Sequence, residues 1–127
     1  MKILITSDWY DPVVNGVVRS ILNLKSYLED RGFDVKVLTL SNSTESYKKG
    51  NVYYIGSLGA GKIYPEARIS ATLRNKFIKE IKDWKPDIVH SQCEFSTFMM
   101  ATKIAKKTSC PLVHTYHTIY EDYTHYF

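Results

Sequence analysis

The sequence predicts an α/β domain built on a doubly wound parallel sheet. Short apolar runs with strand character alternate with segments of helical periodicity, and the alternation continues along the whole chain. Two of the helical segments stop at residues that end helices, Gly32 and the Lys85-Pro86 pair. A chain of 127 residues, with 44% hydrophobic and 24% charged residues, has the length and composition of one globular domain.

The first strand and the first helix form the unit beside which the other elements are placed. Lys2 to Thr6 is an apolar run bounded by polar residues, which is typical of a strand covered on both faces. From Asn15 to Arg31 apolar residues recur at helical spacing, and Gly32 is well placed to end this helix. A polar loop that finishes in Asn15-Gly16 connects the two elements.

The rest of the chain continues the same pattern. We predict further strands over residues 33–40, 51–55, 87–91 and 111–116, and further helices over residues 72–84 and 95–107. Residues 41–50 are expected to be a polar surface loop, and the strand that follows is expected to lie near an edge. Because strands joined through helices pair in parallel with right-handed crossovers, a doubly wound sheet results.

A glycine-rich segment, Gly56 to Lys62, fits the phosphate-loop pattern G-x-x-x-x-G-K. Ile63, however, stands where such a loop needs Ser or Thr for magnesium, and Pro65 interrupts the helix that should begin there. We therefore interpret the segment as a flexible glycine loop.

The lengths of the apolar runs and the spacing of the cysteines indicate the cellular compartment. No apolar run approaches the roughly 20 residues that span a bilayer, and the N-terminal run Ile3 to Ile5 is too short for a secretory core. The two cysteines, Cys93 and Cys110, lack C-x-x-C spacing and suit reduced thiols. These features predict a cytoplasmic protein.

The net charge of +4 is concentrated in one segment, because Lys62 to Lys85 contains seven basic and three acidic residues and the remainder is neutral. The predicted helix within it has an apolar stripe, and four basic residues lie off that stripe: Arg74, Lys76, Lys79 and Lys82. Most amphipathic helices simply pack on their sheet. A basic helix with an aromatic end also suits an anionic membrane surface. No nucleic-acid-binding module is recognisable, so nucleic acid is the weaker alternative.

In a doubly wound sheet the binding crevice lies outside the carboxyl ends of the strands, where the strand order reverses. If the first three strands extend to one side and the fourth starts on the other side of the first, the crevice lies between strands one and four. His90 lies near the end of strand four. The polar residues of the strand-end loops are Ser7, Asp8, Asp11, Asn15, Gly16, Gln92, Glu94, His117, Glu121 and Asp122.

Asn15-Gly16 has two interpretations. Asn15 can be a helix cap beside a loop glycine, or Gly16 can let the backbone approach a phosphate held at the helix N-terminus. The residues alone favour the cap. No G-x-G-x-x-G is present, which argues against a dinucleotide site.

Three histidines and a glutamate near the end of the chain have spacings that would line a metal site on one helix: His114, His117, Glu121 and His125. The strand character of residues 111–116 sends His114 and His117 to opposite faces, so a metal is the minor alternative. His117 follows a strand end and is a candidate donor or base at the crevice; the alternative is a surface histidine.

Four segments together resemble the amino-terminal domain of retaining nucleotide-sugar glycosyltransferases of family 4. They are Asp11-Pro12-Val13-Val14-Asn15-Gly16-Val17, Leu24 and Leu28 with Arg31-Gly32-Phe33-Asp34-Val35, Pro86-Asp87-Ile88-Val89-His90-Ser91, and Thr115 to Tyr123. The last segment is similar to that of the bacterial members that glucosylate diacylglycerol. The resemblance implies that residues 1–127 are the acceptor-side, Rossmann-like half of a two-domain GT-B architecture, with the donor domain outside this chain.

The resemblance also assigns roles to residues that match. Gly16, with Asn15, lies where the family's glycine loop approaches the donor diphosphate, and His117 matches the histidine that contacts the transferred sugar. Glu94, Asp122 and Gln92 are expected on the acceptor side of the cleft. The implied donor is UDP-glucose and the implied acceptor a membrane lipid such as diacylglycerol, with no metal required.

The implied chemistry is transfer through an oxocarbenium-like centre as a diphosphate leaves. No carboxylate has the clear position of a double-displacement nucleophile, so we expect same-face attack assisted by the leaving phosphate. Two alternatives stay open: a family member that uses a soluble or polysaccharide acceptor, and a doubly wound binding module without enzymatic activity.

Overall fold

The computed structural model describes residues 1–10, 15–56, 75–93 and 96–115. Within these ranges six strands and three helices occur. The strands are β1 (Lys2–Thr6), β2 (Asp34–Leu40), β3 (Tyr47–Lys49), β4 (Val52–Ile55), β5 (Ile88–Ser91) and β6 (Leu112–His114). The helices are α1 (Gly16–Asp30), α2 (Lys76–Trp84) and α3 (Ser96–Thr108).

The described strands form one sheet in the order β3-β4-β2-β1-β5-β6. Every neighbouring pair is parallel except β3 with β4. The chain leaves β1 to build one half of the sheet through β2 and β4, and then crosses back so that β5 pairs with the other side of β1. The predicted doubly wound α/β fold is therefore confirmed, including the reversal of strand order beside β1.

Each face of the sheet has its own hydrophobic core. On one face α1 packs through Val17 and Ile21 against Ile5 and the side chains of β2. On the other face α2 and α3 pack against Leu4, with Ile78, Ile81, Met100 and Ile104 all buried. Leu4 and Ile5 are both fully buried because successive side chains of a strand point to opposite faces. The central strand β1 thus joins the two cores.

The region predicted as a polar loop over residues 41–50 contains the edge strand β3, and that prediction is corrected. β3 pairs antiparallel with β4 through a tight turn in which Gly50 has a positive φ of 57°. The ring of Tyr47 stacks on that of Tyr54, with centroids 4.5 Å apart. Two lysines in a three-residue strand gave no apolar alternation, so only the cross-strand pairing identifies it. β4 lies one strand in from the edge.

Helix α2 begins later than predicted. Asn75 has extended backbone, and its side-chain oxygen accepts a hydrogen bond from the Phe77 N–H at 2.8 Å, which makes it the N-cap. The predicted start at Thr72 is therefore wrong. Thr72, Leu73 and Arg74 themselves lie outside the described residues, as does most of the glycine-rich segment that precedes them.

Gly56 is the part of that segment which the structure describes. A Cβ at this position would lie 2.2 Å from the carbonyl oxygen of Thr44, so the backbone of the loop after β2 occupies the space of a side chain. The Gly56 N–H donates to Ser46 Oγ at 2.8 Å, and Ser46 Oγ also accepts from the Asn75 amide. This glycine serves close packing of two backbone segments.

Candidate functional site

The carboxyl ends of β1 and β5 lie side by side at the point where the strand order reverses. Thr6 is in register with Ser91, and the Gln92 N–H donates to the Thr6 carbonyl at 2.8 Å. The loops that leave these strands, beginning at Ser7 and at Gln92, therefore start next to one another. This is the crevice that the topology of a doubly wound sheet makes available to a ligand.

On the β1 side of the crevice, Asn15 caps α1. Its side-chain oxygen accepts a hydrogen bond from the Val18 N–H at 2.8 Å, and its carbonyl accepts from Arg19. The cap predicted for Asn15 is confirmed. Gly16 is exposed, and a Cβ added to it would meet nothing within 4 Å among the described residues. The helix N-terminus is thus open at Gly16, and its role toward a diphosphate stays a prediction.

Asp8 connects the two sides of the crevice. It lies two residues beyond β1, and its Oδ1 accepts hydrogen bonds from both the backbone N–H, at 2.9 Å, and the hydroxyl of Thr97. Thr97 lies in the first turn of α3 and is fully buried. A carboxylate there satisfies a free N–H of the helix and interacts favourably with the positive end of its dipole. Asp8 therefore fastens the start of α3 to the end of β1.

The buried thiol of Cys93 contacts Ser7, the first residue after β1. Ser7 Oγ lies 3.2 Å from Cys93 Sγ and donates to the Trp9 carbonyl at 2.7 Å. Burial raises the pKa of the Cys93 thiol, although the hydrogen bond with Ser7 opposes part of that rise. A raised pKa favours the neutral thiol, and the described contacts of Cys93 are those of a buried, packed side chain.

The end of β6 is tied to β5 by side chains as well as by the sheet. His114 Nδ1 lies 3.1 Å from Ser91 Oγ, and His90 Nε2 is within hydrogen-bonding distance of Thr115 Oγ1. The Thr115 N–H donates to the Ser91 carbonyl at 2.9 Å. These contacts hold the exit of β6 at the same edge of the sheet as the crevice.

The predicted site residues fall into two groups. Six of those predicted at the crevice are described and lie at the carboxyl edge around the β1–β5 junction: Ser7, Asp8, Asn15, Gly16, His90 and Gln92. Gln92 is only 4% exposed. The others lie outside the described residues: Asp11, Glu94, His117, Glu121, Asp122 and His125. The donor, acceptor and catalytic roles of both groups stay predictions.

The basic helix is less positive at its surface than its lysines suggest. Lys79 forms an ion pair with Asp83 at 2.9 Å, and Lys48 of β3 forms one with Glu80 at 3.1 Å. The hydrogen bond from Lys48 holds the pKa of Glu80 below its usual range. Lys76 is exposed, whereas Lys82 is half-buried. Two carboxylates thus share the outer surface of α2 with these lysines.

Two groups of residues were missed by sequence reasoning: Thr97 as the partner of Asp8, and the Ser91, His114 and Thr115 contacts beside β6. The signal for Thr97 was present, because a small hydroxyl residue at the start of the third predicted helix must lie at the same sheet edge as the residues after β1. The pairing itself depends on side-chain direction, which periodicity does not provide.

No group of three or more His, Cys, Asp or Glu side chains in the described part of the chain is arranged to hold a metal ion. Of the four residues considered for a metal from their spacing, His114 alone is described. None of the helices in the described ranges is long and apolar enough to cross a membrane.

Comparison with known proteins places these features in a family. A model described as Glycosyltransferase Family 4 matches residues 14–127. The chain is 35% identical over 127 residues to an alpha-monoglucosyldiacylglycerol synthase of Streptococcus pneumoniae, which covers 99% of this chain and 29% of that protein. It is 34% identical over 131 residues to the synthase of the same name from Acholeplasma laidlawii, covering 99% and 32% respectively.

A third relative carries a different group in its name. The chain is 33% identical over 107 residues to a sulfoquinovosyl transferase of Arabidopsis thaliana, which covers 83% of this chain and 21% of that protein. In all three comparisons the chain spans less than a third of the relative's length.

Proposed function

The chain belongs to glycosyltransferase family 4, and on that premise we propose that the full-length protein transfers a sugar from a nucleotide sugar to a membrane lipid. In its specific form the donor is UDP-glucose and the acceptor is diacylglycerol. The observation that carries this proposal is the 34 to 35% identity, over 99% of the chain, to two proteins named as glucosyldiacylglycerol synthases.

The proposed reaction retains the configuration at the sugar. The bond between sugar C1 and the diphosphate oxygen breaks, and a bond forms on the same face between C1 and the lipid hydroxyl oxygen. The hydroxyl proton passes to the departing diphosphate, so the products are a glycolipid and the nucleoside diphosphate. The transition state has oxocarbenium character. A site therefore speeds the reaction if it stabilises the negative charge on the departing diphosphate and holds the acceptor hydroxyl close to C1.

On the donor side, the N-terminus of α1 is suited to the leaving diphosphate. Gly16 is exposed at the first position of the helix, and the neutral Asn15 uses its side chain on the Val18 N–H. Backbone N–H groups and the helix dipole favour an anion at such a position. We assign His117 to contact with the transferred sugar, and Glu94, Asp122 and Gln92 to the acceptor side.

The remaining parts of the machinery are also proposals. We expect a second doubly wound domain, with a paired-glutamate motif, to supply most contacts to the nucleotide sugar, as in the GT-B architecture. We expect no metal requirement. We place the protein at the cytoplasmic face of the membrane, where Arg74, Lys76, Lys79 and Lys82 approach anionic lipid headgroups.

Product analysis tests the proposal. The full-length protein is incubated with labelled UDP-glucose and either diacylglycerol in phosphatidylglycerol-containing vesicles or soluble sugars and polysaccharide, with and without a chelator. We expect a labelled glycolipid with an α-linkage, formed equally well with the chelator. Label only in soluble or polymeric products would move the acceptor to the alternative class. Donor binding without any transfer would favour the non-enzymatic binding module.

A further inference from the structure

The Asp8–Thr97 contact is unusual in what it connects. The two residues are 89 positions apart in the chain and lie on opposite sides of the strand-order reversal. One carboxylate oxygen accepts both the backbone N–H and the hydroxyl of Thr97. Hydrogen bonds to an ionised acceptor are roughly twice as strong as those between neutral groups. The contact is therefore a strong link between the loop after β1 and the first turn of α3, and it adds to the Ser7–Cys93 contact nearby.

A second link encloses the same segment. The Gln92 N–H, directly after β5, donates to the Thr6 carbonyl at 2.8 Å. The connection between β5 and α3 is thus anchored at its beginning by the backbone of β1 and at its end by Asp8. One anchor is the last residue of β1, and the other lies two residues beyond that strand. Together the two hydrogen bonds fix the end of β5 and the start of α3 relative to the end of β1.

We propose that Asp8 is a positioning residue, which holds the start of α3 at the end of β1, at the same sheet edge as the N-terminus of α1, so that the acceptor hydroxyl meets the donor sugar. This inference rests on the proposed function for its catalytic meaning. Asp8 acts through Thr97 and α3, without touching the reacting atoms.

Loss of a positioning residue should change the ratio of products, whereas a general loss of stability should not. Transfer to the lipid requires the acceptor hydroxyl to be held near sugar C1, whereas water can reach that carbon without such a support. When water attacks, the C1 bond to the diphosphate breaks, a C1 bond to the water oxygen forms, and the proton leaves with the diphosphate to yield free sugar. Loss of the Asp8 link should therefore shift products from glycolipid toward free sugar while donor binding is kept.

The experiment uses the full-length enzyme with labelled UDP-glucose and diacylglycerol vesicles, and measures glycolipid and free glucose together. For Asp8→Ala we expect kcat for transfer to fall by about 10- to 100-fold, as small misplacements of reacting groups do, with the donor KM within about twofold of the wild-type value. The ratio of free glucose to glycolipid should rise by about tenfold. Asp8→Asn, whose amide oxygen still accepts, should restore most of the transfer.

Two further variants sharpen the test. Asp87 accepts a hydrogen bond from the Lys2 N–H at 2.7 Å, at the opposite end of the same pair of strands, so Asp87→Ala is the matched loss of a carboxylate and should leave the product ratio unchanged. Thr97→Val removes the hydroxyl and keeps the backbone N–H, so it should give an intermediate shift even if Asp8→Ala folds poorly. The double variant Asp8→Ala with Thr97→Val should be no worse than Asp8→Ala.

Hydrogen exchange tests the link without any substrate. The amides at the start of α3 should lose protection in Asp8→Ala and keep it in Asp8→Asn and Asp87→Ala. Unchanged exchange, a donor KM that rises as much as kcat falls, or additive losses in the double variant would overturn the assignment of Asp8. If the wild-type enzyme glucosylates no lipid, the proposed function fails, while the exchange measurement still decides whether Asp8 anchors α3.

Discussion

At the scale of single residues, Gly56 and Gly16 differ in the space available for a side chain. Gly56 is confined, because a Cβ there would lie 2.2 Å from the Thr44 carbonyl oxygen. Gly16 is open, because a Cβ there would meet none of the described residues within 4 Å. Among the described residues, the space at the start of this helix beside the crevice is therefore open to a ligand. Steric confinement and ligand access thus give separate, measurable predictions.

Gly56→Ala should lower the free energy of unfolding by about 1–3 kcal/mol, since the obstacle is a backbone carbonyl that cannot rotate away. Chemical denaturation of the full-length protein measures this. Gly16→Ala is the matched control and should change the unfolding free energy by no more than about 0.5 kcal/mol. Equal losses at the two positions would show that the close approach at Gly56 is not what makes it intolerant.

Gly16→Val should weaken donor binding without weakening the fold. A branched side chain at the first position of α1 would occupy the space in which the diphosphate is proposed to lie. We expect the KM for the nucleotide sugar to rise by about tenfold or more while the thermal midpoint stays close to that of the wild type. A donor KM that does not change would remove Gly16 from the donor site.

His117→Ala tests the residue proposed to contact the transferred sugar. We expect the full-length enzyme to lose about a hundredfold or more in kcat, because a misplaced sugar no longer presents C1 to the acceptor. Circular dichroism and denaturation should match the wild type. His114→Ala is a useful comparison, because the His114 ring lies against Ser91 and Phe98 within the fold. Undiminished turnover in His117→Ala would exclude the assignment.

At the scale of elements, α2 shows how ion pairing changes the meaning of a basic helix. The helix is held to the sheet by buried Ile78 and Ile81. Its outer surface combines lysines with Glu80 and Asp83, and both carboxylates are paired with lysines. The positive field that it offers to a membrane is therefore smaller than the three lysines of the helix would give alone, since each lysine near an anionic surface contributes about 1 kcal/mol.

Changing Lys76, Lys79 and Lys82 together to Glu should weaken binding of the full-length protein to phosphatidylglycerol vesicles by at least about tenfold. Vesicle sedimentation at low and high salt measures it. The matched control changes three exposed lysines of α3 to Glu, namely Lys103, Lys106 and Lys107. Equal losses from both triples would indicate a net-charge effect, and no loss from the first would exclude α2 as a membrane-binding element.

At the scale of the whole molecule, sheet topology creates the crevice, and side-chain contacts link the loops that border it. The reversal of strand order around β1 brings the loops after β1 and β5 together, whatever residues those loops contain. Ser7, Asp8, Cys93 and Thr97 then link these loops across the reversal. The two cores share β1, so the strand that carries the hydrophobic packing also ends at the proposed site. A rigid support for the loops follows from that arrangement.

Much of this organisation could be predicted from the order of residues alone. The alternation of apolar runs with helical periodicity predicts a doubly wound sheet, since strands joined by helices must pair in parallel with one crossover hand. Asn15 and Gly32 act locally, through caps and backbone conformation, and both behave as predicted. The resemblance carried by four separate segments agrees with the family match. Helix caps, glycine conformations and hydrophobic periodicity can be predicted from sequence because each depends only on residues close together in the chain.

Other features were decided by tertiary structure. Strand β3 exists because Tyr47 stacks on Tyr54 and its backbone pairs with β4, although its own residues have the pattern of a loop. Asp8 meets Thr97 only after the sheet has brought two distant loops to one edge. Glu80 of α2 forms its ion pair with Lys48, a lysine of another element. Each of these depends on contacts between residues far apart in the chain, and such contacts follow from the packing of elements rather than from any local pattern.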